Sequence, residues 1–156
     1  ELEYLIDNNV IKGGEYQLPD ALRRLTEKGT IFKPGKVDEW LDCGNKAVTV
    51  HTNQRVLEFD KNKAVKLISE SAEMHDSVII PPCFIGEGVK IINSVIGPHV
   101  SLGANTVVRN TRIINTIVQE NTVIENGNIA DAMIGNHVQY LKKAQDLSLG
   151  DYSVIE

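Results

Sequence analysis

INSVIG at 92–97, INTIVQ at 114–119 and ADAMIG at 130–135 are three versions of one phrase, each closing on an aliphatic residue and a small or polar one. Working outward from them, aliphatic residues stand at Ile79, Ile85, Ile91, Ile96, Leu102, Val108, Ile113, Val118, Ile124, Ile129 and Ile134, at intervals of six or five. A half-buried strand repeats every second residue and a helix about every 3.6, so neither fits. A spacing near six marks the hexapeptide parallel β-helix, in which each flat wall takes one short strand and each corner a residue or two. One aliphatic side chain per wall then points into a narrow prism. Asn and Gly suit the corners because they tolerate positive φ. An antiparallel sandwich is the competing arrangement. It needs sustained alternation and hairpin dipeptides, which are scarce here apart from Asn126-Gly127. At about 18 residues per coil the repeat predicts three to four coils. The tail DLSLGDYSVIE, with Leu147, Leu149 and Tyr152, is a candidate closing strand or cap, which a solenoid end requires.

Residues 1–66 follow another pattern, and we expect them to form a small α/β segment ahead of a β-helix domain over 67–156. The opening ELEYLIDNN reads as an amphipathic helix with Leu2, Leu5 and Ile6 on one face. In LPDALRRLTEKG, Leu18, Leu22 and Leu25 share a face, Pro19 and Asp20 suit a first turn, and Gly29 suits the stop. TIFKPGKVDEWLDCG (30–44) is strand-like and broken by Pro34-Gly35. Asn45 is placed to cap a helix running to about Phe59, with Val48, Thr52 and Phe59 inward. This segment has too few apolar faces for a core of its own.

Composition narrows the function. The 156 residues carry a formal charge of −5, with 42% hydrophobic and 24% charged residues. Mild acidity argues against a nucleic-acid surface, which needs a basic stripe; Lys142 and Lys143 are too few. No apolar run approaches the roughly 20 residues that cross a bilayer. Cys43 and Cys83 lack the spacing of a disulfide scaffold or a zinc site. With an acidic start and no leader pattern, the expected location is the cytoplasm.

GGEYQLPDAL (13–22), EKG (27–29) and EWLDCGNKAVTVHTNQRVL (39–57), in that order, resemble the C-terminal part of the catalytic domain of sugar-phosphate nucleotidyltransferases, especially the glucose-1-phosphate thymidylyltransferase-like group. That family carries a GEYxLTDAL phrase, then W-x-D-x-G, then a helix ending in N-x-x-L, commonly followed by a left-handed hexapeptide β-helix. The resemblance extends over essentially the whole chain. It implies transfer of a nucleotidyl group from a nucleoside triphosphate to a sugar 1-phosphate with release of pyrophosphate. It also implies magnesium held partly by the Asp of the W-x-D-x-G phrase, here Asp42; Glu15, in the first phrase, is a candidate sugar contact. The chemistry is coherent, since two anions must approach and a hard cation offsets their repulsion. Two departures stand out. The family's glycine-rich nucleotide-binding signature is not among these residues, which with the opening Glu predicts a C-terminal piece of a longer protein, inactive alone. Pro19 also replaces the usual Thr.

Each candidate has a plainer reading. Asp42 could be a helix-start acid favoured by the dipole; Glu15 could orient its loop; Asp20 reads as a first-turn residue and Trp40 as core. His99 and His137 both follow an Ile-Gly corner by two residues, in IGPHV and IGNHV, which predicts a stacked surface pair. They also raise the alternative of a β-helix acyltransferase that uses acyl-CoA with a histidine base. No long loop interrupts the coils to shape an acyl-acceptor pocket. His51 and His75 read as solvated, and neither Cys43 nor Cys83 as a nucleophile. A purely structural interaction module is the third reading. The flat walls of a prism favour a homo-oligomer, so oligomerisation or regulation is the expected role of the β-helix.

Overall fold

The computed structural model describes residues 1–143 and 145–155. The chain divides into two compact units, Glu1–Trp40 and Leu41–Glu156.

The first unit holds α1 (Leu2–Asp7) and α2 (Leu18–Glu27). Pro19 lies in the first turn of α2, as expected, and Gly29 ends the helix with φ +91°. The buried face differs from the expected one. Leu5, Asp20 and Ala21 are buried, whereas Leu18 and Leu22 are exposed. Polar pairing explains the shift: Asp20 accepts from Lys12 Nζ at 2.9 Å and from Arg23, and Glu1 pairs with Arg24 at 2.9 Å and with Lys28. Those contacts draw the charged side of α2 inward and lower the carboxyl pKa of both acids, through Lys12 first for Asp20 and Lys28 first for Glu1. The strand expected over 30–44 does not form. A strand needs a partner for its N–H and C=O groups, and this unit offers none. Ile31 and Trp40 are consequently 85% and 82% exposed, so Trp40 is not the core residue its type suggests.

In the second unit Asn45 caps α3 (Lys46–Asn62), its Oδ1 accepting from Val48 N at 3.2 Å. Beyond it the chain winds into a parallel β-helix. The first coil has β1 (Glu73–His75), β2 (Val78–Ile79) and β3 (Cys83–Ile85); the second β4 (Lys90–Ile92), β5 (Val95–Ile96) and β6 (Val100–Leu102). The third has β7 (Val107–Arg109), β8 (Arg112–Ile114) and β9 (Ile117–Val118); the fourth β10 (Val123–Glu125), β11 (Asn128–Ala130) and β12 (Met133–Ile134). Finally β13 (Gln139–Leu141) opens a fifth. Corresponding strands stack in parallel register into three walls, β1-β4-β7-β10-β13, β2-β5-β8-β11 and β3-β6-β9-β12. All eleven aliphatic positions read from the sequence point inward and pack in one core.

Two details depart from expectation. A coil takes 17 residues low in the stack and 16 higher up, because the second corner of the first two coils carries one more residue, around Pro82 and His99, than the corner at Asn115. The repeated phrase also returns on a different wall. INTIVQ and ADAMIG stack on each other, with Ile117 beside Met133, but INSVIG stacks on Arg109–Ile114, with Val95 beside Arg112. The tail 145–155 forms no strand, and Leu147, Leu149 and Tyr152 are exposed, so the expected closing strand is absent. At the opposite mouth Ile68 bridges to Ile85, so the segment after α3 pairs with the first coil.

The corners explain the composition. Asp76, Asn93, Asn110 and Asn126 form one column of left-handed residues; His99, Asn115 and Asp131 a second; Gly88, Asn105, Asn121 and His137 a third, all with φ between +44° and +64°. His99 and His137 therefore stand on different corners, two coils and one wall apart, and are not the stacked pair that their shared phrase predicts. In the first column Asn93 Nδ2 donates to Asn110 Oδ1 at 2.9 Å, Asn110 to Asn126 at 3.1 Å, and Asn126 to the Lys142 carbonyl at 2.6 Å. Beside it, the hydroxyls of Ser77, Ser94 and Thr111 each accept the next coil's amide at 3.0 or 3.1 Å and donate to the carbonyl two residues back at 2.7 Å. Corner groups that leave the strand ladder are satisfied in this way.

Asn110→Ala removes two side-chain bonds and forces a Cβ residue without a local hydrogen bond to hold positive φ, so we expect a loss of about 2–4 kcal/mol in denaturant unfolding. Asn110→Gly relieves the backbone but not the ladder and is expected to recover about 1–2 kcal/mol of that. Equal midpoints for the two variants would show that φ contributes nothing here.

Candidate functional site

Leu41 to Asn45 bring the chain out of the irregular segment and into α3. Asp42 is exposed, and its Oδ1 accepts from the amides of Cys43 at 2.7 Å and Gly44 at 3.1 Å. This closes a local turn of the kind that Asp side chains favour. The Thr52 hydroxyl, two turns into α3, donates to the Asp42 carbonyl at 2.6 Å. Backbone and carboxylate are thus both tied, and among the described residues Oδ1 is the carboxylate oxygen seen to accept these amides, with Oδ2 on the other side. Gly44 does not adopt the left-handed region. A Cβ there would sit in ordinary contact, 3.4 Å from Asp42 Oδ2.

A hard cation takes oxygen donors, and magnesium keeps several waters and binds through one or two carboxylates plus substrate phosphates. Asp42 fits that role in donor type and accessibility. Among the described residues no three His, Cys, Asp or Glu side chains cluster as a metal site, so Asp42 could contribute one ligand and the remainder would come from elsewhere.

Glu15 stands in the first unit, exposed, closing a two-residue turn in which the amides and carbonyls of Lys12 and Glu15 pair at 3.1 and 3.2 Å around Gly13 and Gly14, both with positive φ. The site residues therefore lie on separate units. Asp20, read as a first-turn acid, is in that turn and is also the buried anchor of two cations.

Among the histidines, His51, His75 and His137 are exposed. His99 is not. Its Nε2 lies 2.7 Å from Glu58 Oε1, with Lys61 Nζ 3.9 Å from the other carboxylate oxygen. The His99 bond is the chief cause, ahead of Lys61, of the lowered Glu58 pKa. Cys83 is buried with its thiol 3.1 Å from the Ile80 carbonyl, and burial raises its pKa, which disfavours the thiolate. Cys43 is exposed.

The stripe of α3 that meets the β-helix is Lys46, Val50, Asn53 and Leu57, whereas the expected Val48, Thr52 and Phe59 are only partly buried. Val50 and Leu57 are buried, Lys46 Nζ donates to the Asp131 carbonyl at 2.9 Å, and Asn53 Oδ1 accepts from Ser101 Oγ at 2.7 Å. Spacing at i, i+4, i+7 and i+11 could have revealed the stripe. Its polar members disguised it, because Lys and Asn read as solvent-facing.

Fold and site together define a class: a parallel β-helix with a helix laid on it, headed by an exposed carboxylate in a Trp-Leu-Asp-Cys-Gly phrase. No helix among the described residues is long and apolar enough to cross a membrane. No family model matches the chain. It is similar to a glucose-1-phosphate thymidylyltransferase of Streptomyces griseus, 29% identical over 159 residues, covering 90% of this chain and 45% of that protein. It is likewise similar to a glucose-1-phosphate thymidylyltransferase of Streptomyces antibioticus, 27% identical over 162 residues, covering 92% of this chain and 46% of the relative. The chain spans about half the length of these relatives, which support a relationship to nucleotidyltransferases.

Proposed function

We propose that residues 1–66 end the catalytic domain, and residues 67–156 form the β-helix domain, of a magnesium-dependent nucleotidyltransferase. Its reaction joins a sugar 1-phosphate to a nucleoside triphosphate and releases pyrophosphate. The observation that carries this reading is the Asp42 carboxylate, tied through one oxygen and open at the other, within a chain similar over nine-tenths of its length to two thymidylyltransferases.

In this reading Asp42 Oδ2 is one magnesium ligand, and Glu15 accepts hydrogen bonds from sugar hydroxyls. The magnesium, when bound, offsets the negative charge of the approaching phosphates and of the departing pyrophosphate. Asp42 keeps its carboxylate facing outward because the Cys43 and Gly44 amides occupy the other oxygen. Thr52 fixes the Asp42 backbone to α3, so the ligand does not drift with the irregular segment before it.

The test is pyrophosphate release by the intact protein with a panel of sugar 1-phosphates and nucleoside triphosphates. Turnover that requires magnesium is expected, and no release across a broad panel rejects the reading.

A further inference from the structure

α3 is bound to the β-helix at three points along its length. Lys46 reaches the Asp131 carbonyl at the fourth coil, at 2.9 Å; Asn53 and Ser101 meet at 2.7 Å on the outer side of β6; Glu58 and His99 meet at 2.7 Å at the second coil's corner. From Lys46 to Asn53 and Glu58 these contacts pass from the fourth coil to the second, a drop of two strand spacings of about 4.8 Å each. α3 therefore runs down the stack, its start beside a late coil and its end near an early one. The extra corner residue in the second coil lies at Pro98-His99-Val100, where His99 meets Glu58. Asp42 is tied to this helix through Thr52, two turns in and next to Asn53.

We infer that the β-helix is a positioning scaffold for the Asp42 carboxylate, with Lys46, Asn53 and Glu58 as positioning residues that fix the height of α3 on the stack. This rests on the reading of Asp42 as a magnesium ligand and gives the β-helix a part in the reaction other than assembly. A cation site is useful only if its ligands stay within about 0.5 Å of the productive geometry. The turn at 42–44 is too short to supply that rigidity, whereas a helix pinned at both ends to a stacked prism does.

The test uses the intact protein with Ser101→Ala, which removes an outward hydroxyl and leaves the interior untouched, and Lys46→Met, which keeps the aliphatic stem but removes the donor at the other end. Each is expected to raise the magnesium concentration for half-maximal rate about 10-fold, the scale of losing an outer partner of a metal ligand. The rate at saturating magnesium should hold, and amide exchange should quicken across α3 and at Cys43 and Gly44. Ser101→Thr, which keeps the hydroxyl, should restore the parent's magnesium dependence. Faster exchange with an unchanged magnesium requirement overturns the inference, as does exchange unchanged in both variants. An Asp42→Asn protein with the parent's magnesium dependence would instead reject Asp42 as ligand, so the two failures are distinguishable.

Discussion

Asp42→Asn in the intact protein is expected to lower magnesium-dependent pyrophosphate release on the order of 10³-fold, corresponding to the several kcal/mol of charge stabilisation that a bound cation contributes. Asparagine has nearly the same shape, and its Oδ1 can still accept from the Cys43 and Gly44 amides, so the turn and its attachment to Thr52 persist. What disappears is the negative charge at the open oxygen. Because the side chain is exposed, the thermal midpoint should barely move, which separates loss of a ligand from loss of fold. Extra magnesium should recover part of the rate if the remaining ligands still bind weakly. Release close to the parent's, with the same magnesium dependence, would remove Asp42 from the chemistry.

Leu102→Ala is expected to destabilise the chain by about 2–5 kcal/mol, the range for truncating a fully buried leucine. Leu102 is fully buried and stacks between Ile85 below and Val118 above on one wall. The cavity therefore opens in mid-stack, where neither neighbour can move in without breaking its own strand register. In a solenoid each coil contacts only its neighbours, so such a defect weakens two interfaces. Ile134 in the fourth coil is only partly buried, and Ile134→Ala should cost distinctly less. Denaturant unfolding of both variants checks this, and equal losses would contradict a continuous inward ladder.

Taken residue by residue, the β-helix is legible in the chain itself. Eleven aliphatics five or six apart leave few arrangements that bury all of them, and asparagines between them tolerate the left-handed corners. The cap at Asn45 and the stop at Gly29 were readable for the same reason: each is a local preference of a single residue acting on its neighbours. The Asp42 candidate came from family resemblance, and the structure adds its fixed and open oxygens.

Tertiary structure alone decided the rest. His99 and His137 share a phrase but not a corner, because a phrase near six residues and a coil of 16 or 17 fall out of step. The strand foreseen over 30–44 lacks a partner, and no local propensity supplies one. The attachments of α3, at Lys46, Asn53 and Glu58, join residues separated by 85, 48 and 41 positions, through Asp131, Ser101 and His99. Apolar burial repeats with a period and so is written along the chain. A polar contact between distant residues depends on how many residues each intervening coil consumes, and one residue more or less at a corner carries the partner out of reach.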